Sequence, residues 1–124
     1  MAIGCKLWTI PGGRIPEGGS GREPEFTSCD ELCVLNAGDA EAHLEITIYY
    51  ADREPVGPYP LVVAARRVRQ VRFNDLIDPS AMPLGTDYAA VIASDVPVAV
   101  QFTRLNTRQA ALAIASVTAF PSDA

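Results

Sequence analysis

Hydrophobic and polar residues alternate along several short segments of the 124-residue chain. In residues 43–50, "HLEITIYY", every second side chain from Leu44 to Tyr50 is apolar or aromatic, and the side chains between are mostly polar. A period of two places alternate side chains on opposite faces, and β-branched and aromatic residues favour strands. The pattern therefore predicts a strand here, and similar runs predict further strands at 5–10, 31–37, 61–65, 86–94 and 97–104.

The run "ALAIASVTAF" at 111–120 is apolar on both faces rather than on one. A sheet face that is open to water is usually polar, so we expect either a central strand or a strand that another subunit covers. The β-branched Ile, Val and Thr of this run make a helix the weaker interpretation.

Links rich in proline, glycine and small polar residues separate these runs. Residues 11–25 and 51–60 are expected to be loops, and "SDVP" at 94–97 is expected to be a short hairpin connection. About eight short strands joined in this way predict an all-β fold, either an antiparallel sandwich or a barrel. The length predicts one domain over residues 1–124.

Positive charge is concentrated in one segment of an acidic chain. Ten Lys and Arg stand against fifteen Asp and Glu, a net charge of −5, yet residues 66–72 hold four arginines. The uneven spacing of apolar residues from 68 to 73 predicts a β-bulge near Arg69 and Gln70. With that bulge, one face would carry Val68, Val71 and Phe73, and the other Arg67, Arg69 and Arg72.

Two interpretations of these arginines remain open. They form either a solvated strand face, with ion pairs to neighbours such as Glu45 or Asp75, or a surface that docks carboxylate or phosphate groups. The guanidinium fork suits both anions geometrically. DNA is the less favoured partner, because the acidic bulk of the chain repels a long polyanion.

The residues that could carry catalysis or bind a metal are few. Cys29 and Cys33 with His43 supply three ligands, whereas a structural zinc site usually needs four, so we interpret the cysteines as reduced thiols. His43 is the only histidine, and a nucleophile, a base and an orienting group cannot all be named around it. We expect no metal, no cofactor and no enzymatic activity.

The N-terminal residues "MAIGCKLWTIPGG" lack the basic start and long apolar stretch of a secretory leader. No apolar run approaches the roughly 18 residues that are needed to span a bilayer. Together with an odd number of cysteines, these features predict a cytoplasmic protein.

Nearly the whole chain resembles the sensory rhodopsin transducer family. The resemblance is carried by "WTIPGGRIP" at 8–16, the long central block "CVLNAGDAEAHLEITIYYADREPVGPY" at 33–59 and "ARRVRQVRFNDL" at 65–76. The segments "SDVPVAVQFTRLNTRQ" at 94–109 and "SVTAF" at 116–120 add to it. Histidine is common in the family at two positions where this chain has Gln70 and Phe102, which weakens any role for histidine in contacting a partner.

The resemblance implies a jelly-roll-like antiparallel β-sandwich, similar to carbohydrate-binding modules and assembled as a cyclic homotetramer. It also implies two functions. One is signalling through contact with the cytoplasmic face of a sensory rhodopsin, with onward contact to DNA as an extension. The other is binding of a small, sugar-like molecule by a stand-alone module.

Residues of two kinds are candidates for these sites. A docking surface for an acidic partner would use charged and amide side chains of the arginine segment and one arginine of the strand at 97–104: Arg66, Arg67, Arg69, Arg72, Asn74, Asp75 and Arg104. A sugar site would use an aromatic face with carboxylate and amide groups: Trp8, Glu25, Asn36 and Asn74. For Trp8, a place in the core is the alternative interpretation.

Overall fold

The structure is a computed structural model that describes residues 3–14, 29–83, 85–106 and 113–122. Residues 14, 29, 104–106, 113–118 and 122 are described by their backbone alone. The strands in chain order are β1 (Cys5–Arg14), β2 (Cys29–Asn36), β3 (Ala42–Tyr50), β4 (Val56–Val63), β5 (Arg67–Arg72), β6 (Asp87–Asn106), β7 (Ala113–Thr118) and β8 (Phe120–Ser122), with a short 3-10 helix at Phe73–Asp75.

The strands form two antiparallel sheets that share the 20-residue strand β6. The first sheet has the order β4-β3-β6-β1-β8, and the second has β5-β2-β6-β7. Up to Ser94, β6 pairs with β3, and from Ala99 onward it pairs with β2. The predicted all-β antiparallel sandwich of about eight strands is confirmed.

The predicted hairpin at "SDVP" is wrong, because this segment is the corner at which β6 passes from one sheet to the other. Its register against β1 jumps between the pairs Leu7↔Ala93 and Cys5↔Val98. Gly4 lies so close to the corner that an added Cβ would collide with the Val98 carbonyl, and its φ of 97° also favours glycine. Sandwiches commonly make such corners with bends or bulges in a strand that changes sheets.

The core lies between the two sheets and follows the alternation seen in the sequence. In β3, Leu44, Ile46 and Ile48 are buried, while His43 and Glu45 are exposed. Leu32 and Val34 of β2 contribute from the second sheet to the same buried cluster. Each such aliphatic side chain contributes about 1.5–3 kcal/mol when it leaves water, so the β2–β3 pattern fixes which face of each sheet points inward.

Two predicted loops are partly strand. Pro11–Arg14 continue β1, and Val56–Pro60 begin β4 despite two prolines, one of them in a cis peptide bond after Gly57. β4 is an edge strand, where a residue without an N–H is tolerated. The remainder of the predicted loop at 11–25 lies outside the described residues.

The apolar run at 111–120 is divided at Ala119 into β7 and β8, which belong to different sheets. Among the described residues β7 pairs with β6 alone, so the expected central strand is an edge strand instead. Within those same ranges no helix has the length and hydropathy that a membrane span requires.

Candidate docking surface: the arginine edge

The arginine segment forms β5, which lies at the open edge of the second sheet. Its residues pair with β2 in an unbroken antiparallel register from Glu31↔Arg72 to Asn36↔Arg67. The predicted bulge near Arg69 and Gln70 is therefore wrong. We name Arg66, Arg67, Arg69 and Arg72 together the arginine edge.

The unbroken register divides these arginines between two faces. Residues directly opposite each other in a ladder point to the same side. Arg69 lies opposite Val34, which is fully buried, so Arg67 and Arg69 share the inward side of the sheet. Val68 lies opposite Leu35 on the outer side, and both are exposed, at 61% and 41%.

Arg72 thus lies on the outer side, and the predicted common face of Arg67, Arg69 and Arg72 is wrong. The physical reason is that an edge strand needs only a few inward apolar residues, so the exposed Val68 carried no information on the core. Phe73, which also suggested the bulge, belongs to the 3-10 helix that follows β5.

Two arginines at the ends of β5 are paired with carboxylates. Arg66 has a φ of 55°, donates its backbone N–H to the Gly38 carbonyl, and places Nη1 2.9 Å from Oδ1 of Asp39. Arg72 donates from Nε to Oδ2 of Asp75 at 3.3 Å. A pair with Asp75 is one that the solvated-face interpretation named, and these two ion pairs partly neutralise the ends of the arginine edge.

The two central arginines donate to carbonyl oxygens. Nη1 of Arg67 donates to the carbonyl of Arg66 at 3.0 Å, and Nη1 of Arg69 donates to the carbonyl of Val62 in β4 at 2.8 Å. Neither forms an ion pair with a carboxylate in the described part of the chain, and both are exposed. Their positive charges are therefore available to an incoming anion.

A groove of about 520 Å³ runs beside Arg69 between the edges of the two sheets. Its lining includes Pro60 and Leu61 from β4, Glu31 from β2, and Gln70 and Asp75 beside Arg69. A mixed lining of this kind offers both donors and an apolar floor to a partner. Gln70 is exposed in β5 next to Arg69.

The 3-10 helix after β5 is anchored by its first residue. The buried Phe73 ring lies 5.4 Å from the Tyr88 ring and 6.0 Å from the Phe102 ring. Phe102 is thus a core residue. Asn74 is half-buried and Asp75 is exposed beside Arg72, so the anchored helix holds Asp75 in place at the end of the arginine edge.

Two of the four residues predicted for a sugar site, Trp8 and Asn36, are buried in the fold and not at a surface. Trp8 is 7% exposed, and its Nε1–H donates to the carbonyls of Cys5 and Val98 at 3.0 and 2.9 Å. Asn36 is buried, and its amide donates to the carbonyls of Ala40 and Val63 at 2.8 and 3.1 Å. Both side chains use their polar atoms to tie the fold together.

Glu25 lies outside the described residues, as does the side chain of Arg104. The backbone of Arg104 pairs with Asp30 of β2 in the second sheet.

His43 lies near the start of β3, opposite Val62 of β4, and its ring lies between two carboxylates. Nδ1 is 3.1 Å from Oδ2 of Asp95, and Nε2 is 3.0 Å from Oε1 of Glu41. The backbone N–H of His43 also donates to Oδ1 of Asp95 at 2.8 Å. This backbone bond, followed by the side-chain bond, lowers the pKa of Asp95 below its ordinary value of 3.8.

A second cleft, of about 700 Å³, is lined by aromatic residues that the sequence reasoning did not select. Tyr49 and Tyr50 at the end of β3 line it, together with Tyr88 and Asp87 at the start of β6. The Arg53 guanidinium carbon lies 4.7 Å from the centre of the Tyr50 ring, and burial raises the pKa of Tyr50. We name this the tyrosine cleft.

The signal that could have identified the tyrosine cleft was the pairing of β3 with β6. That register places Tyr50 opposite Tyr88 on neighbouring strands. The hydroxyl of Tyr88 donates to Oδ2 of the buried Asp30 at 2.7 Å, which holds the ring at the base of the cleft.

The fold and its arginine edge define a small antiparallel β-sandwich protein with a positively charged strand at one open edge. The sequence profile of the family described as Anabaena sensory rhodopsin transducer matches residues 3–121. The chain therefore belongs to the sensory rhodopsin transducer family.

Two solved structures agree with this assignment. The Anabaena sensory rhodopsin transducer is 57% identical to this chain, with a TM-score of 0.75, over 82% of this chain and 98% of that one. A crystal structure of Thermotoga maritima 1070 has a TM-score of 0.86 at 26% identity, over 97% of each chain. No curated protein matches the chain.

Proposed function

We propose that this protein is a non-enzymatic signalling protein that docks an acidic partner through the arginine edge. The partner is the cytoplasmic face of a sensory rhodopsin, as the name of the family and of its Anabaena member suggests. The protein acts in the cytoplasm as a homo-oligomer, a cyclic tetramer.

The observation that carries this proposal is the exposure of Arg67 and Arg69 and the absence of a carboxylate partner for either among the described residues. They are exposed, stand two residues apart on one side of an edge strand, and donate to carbonyl oxygens instead of pairing with carboxylates. In a chain with a net charge of −5, such a pair makes a local positive field that steers an acidic surface toward it.

Binding to a sensory rhodopsin reconstituted in lipid nanodiscs tests the docking proposal. Charge reversal at two sites, Arg67→Glu with Arg69→Glu, should weaken binding by about tenfold or more, because attraction becomes repulsion. A matched control is Lys6→Glu with Arg53→Glu, which changes net charge equally at exposed positions away from β5. If the control weakens binding as much as the β5 variant, docking depends on net charge and not on the arginine edge.

Nucleic acid is the other polyanion that the same experiment should include. The acidic bulk of the protein opposes it, so we expect a short DNA duplex to bind at least about tenfold more weakly than the nanodisc at equal salt. Tighter binding to the duplex than to the nanodisc would indicate that nucleic acid, and not the rhodopsin, is the partner.

The proposed oligomer is supported by the exposed apolar residues of the outer face. Leu35 and Val68 form a cross-strand pair on the outside of the second sheet, and a subunit interface would cover such a pair. Light scattering should give a mass of four times 13.2 kDa at micromolar concentration. A mass of 13.2 kDa would contradict the oligomer.

The second candidate function, binding of a sugar-like molecule, is favoured by the tyrosine cleft. Its volume of about 700 Å³ suits a small ligand, Tyr49 is 43% exposed, and the polar side chain of Asp87 is part of the lining. A thermal-shift screen of sugars should find ligands whose effect is lost in Tyr49→Ala. The buried Trp8 should give no fluorescence response, so a Trp8 response without dependence on Tyr49 would place the ligand elsewhere.

A further inference from the structure

The open edges of this sandwich differ in what could pair with them. The edge strands in the described parts of the chain are β4, β5, β7 and β8. Pro58 and Pro60 interrupt the row of N–H groups on β4, and Pro121 interrupts that of β8. β7 and β5 contain no proline, and of these two only β5 carries charge.

β5 has the main-chain groups that an added strand requires. It pairs with β2 on one side, and the described residues supply no strand on its other side. Every second residue of an edge strand directs its N–H and C=O away from the sheet, so about half of the residues Arg67–Arg72 present these groups outward. An extended chain of roughly 20 Å would cover the strand.

The positive charge of the arginines determines which kind of strand can pair with the open edge of β5. A second copy of β5 would bring arginines against arginines, and like charges directly opposite each other destabilise a strand pair. An acidic strand would convert the same positions to charge-assisted pairs. Because Arg67 and Arg69 lie on one side with the exposed Val68 between them on the other, the complementary segment reads acidic, apolar, acidic.

Building on the proposed function, we propose that β5 receives an extended acidic segment of the partner as an additional strand. Main-chain hydrogen bonds to the outward edge of β5 give affinity, as in other cases of strand addition. Carboxylates opposite Arg67 and Arg69 fix the register, since these arginines stand roughly 6.6 Å apart along the strand. The apolar side chain of the segment lies on the outer face beside Val68, where it extends the apolar row of Leu35 and Val68 that faces the subunit interface.

A synthetic nine-residue peptide with the central sequence Glu-Val-Glu, labelled at its N-terminus, tests this inference. Its affinity is measured by fluorescence anisotropy, and the protection of β5 amides from exchange with solvent is measured by NMR. A control peptide with proline in place of the central valine keeps the charge and removes one N–H from the added strand. Arg67→Glu with Arg69→Glu, and the control Lys6→Glu with Arg53→Glu, are measured beside the wild type, after their spectra show that they are folded.

Strand addition predicts that alternate β5 amides gain protection, that the proline peptide binds about tenfold more weakly, and that only the β5 variant loses binding. Equal binding of the two peptides without amide protection, or no binding of the Glu-Val-Glu peptide, overturns the inference. The proposed function is tested separately, because nanodisc binding that stays sensitive to the β5 variant supports docking by charge alone. If the β5 variant binds the nanodisc as tightly as the wild type does, the proposed docking through the arginine edge is wrong.

Discussion

Arg69 of β5 and Val62 of β4 join the two sheets at the open edge of the sandwich, since Nη1 of Arg69 donates to the Val62 carbonyl at 2.8 Å. The bond is exposed, so it competes with water and contributes modestly to stability. An anion that approaches Arg69 can still use the other donors of the same guanidinium. The contact therefore orients the Arg69 side chain and leaves its other N–H donors accessible to an anion.

The first prediction concerns the contribution of this hydrogen bond to the free energy of unfolding. Arg69→Ala should lower the free energy of unfolding by less than about 1 kcal/mol, because a solvent-exposed hydrogen bond is largely replaced by water. For a chain of this size, the melting temperature should fall by no more than a few degrees. Differential scanning calorimetry measures it, and a fall above about 10 °C would show that Arg69 is primarily a tie between the sheets.

The second prediction concerns Asn36, whose buried amide binds the backbone of the turn after β2 and the last residue of β4. Its Nδ2 donates to the carbonyls of Ala40 and Val63, and its Oδ1 accepts from the N–H of Gly38 at 3.1 Å. Asn36→Ala should cost about 2–3 kcal/mol, because the buried carbonyl of Val63 and the part-buried carbonyl of Ala40 lose their donor.

Asn36→Asp separates the roles of the two amide atoms. It keeps an acceptor for Gly38 but places a carboxylate against carbonyl oxygens, so it should be more destabilising than alanine at neutral pH. Urea denaturation measures both variants. A cost below about 0.5 kcal/mol for Asn36→Ala would be expected only of a surface residue and would contradict this role.

The third prediction compares two neighbouring glycines of β1. A Cβ at Gly13 would lie 2.7 Å from the Tyr88 hydroxyl oxygen and nearer still to the ring, whereas a Cβ at Gly12 would have nothing within 4 Å. Gly13→Ala should displace Tyr88 from Asp30 and cost about 1–3 kcal/mol, as overpacking does. Gly12→Ala should change stability by less than about 0.5 kcal/mol. Equal effects of the two variants in thermal denaturation would refute the close packing of Gly13 on Tyr88.

The fourth prediction concerns pH and the contact between Asp95 and His43. The backbone N–H of His43, and then its side chain, lower the pKa of Asp95 below 3.8 in the folded protein. A carboxylate whose pKa is lowered by folding stabilises the fold at pH values above its unfolded-state pKa. This contribution to stability is lost as the pH falls through the folded-state pKa. Wild type should therefore be more stable than Asp95→Asn at pH 6, and the difference should shrink as the pH falls below 3.8 through the folded-state pKa.

The control for this pH dependence is Asp78→Asn, which removes one charge at an exposed position outside the strands. Melting temperatures from pH 3 to 7 give the comparison. A constant difference between wild type and Asp95→Asn across this range would show that the carboxylate charge contributes nothing to the contact.

The positions of the strands could be predicted from the alternation, including the runs at 86–94 and 97–104, but the joining of these two runs into the single strand β6 could not. β3 packs one face on the core for its whole length, so a period of two was a sufficient signal. β6 changes sheets near Pro97, and a proline two residues after an aspartate looks the same in sequence at a corner as in a hairpin. The difference lies in long-range pairing, which no local pattern contains.

The candidate site was likewise predictable only as far as it depends on local sequence. The concentration of arginines was visible in the sequence, but their division between two faces depends on a register against β2 that apolar spacing misrepresented. Trp8 and Asn36 were chosen for their chemistry alone, and burial assigns their polar atoms to the backbone instead. The tyrosine cleft was missed because Tyr50 and Tyr88 are 38 positions apart and meet only through strand pairing.

The most direct measurement of the docking function is the salt dependence of binding to the rhodopsin nanodisc, for wild type and for Arg67→Glu with Arg69→Glu. Exposed charges are screened within about 8–10 Å at physiological ionic strength, so attraction through the arginine edge must weaken as salt rises. Wild-type affinity should fall steeply between 50 and 500 mM salt, and the variant should bind weakly with little or reversed dependence. Equal affinities and equal salt dependence for the two proteins would contradict docking through Arg67 and Arg69.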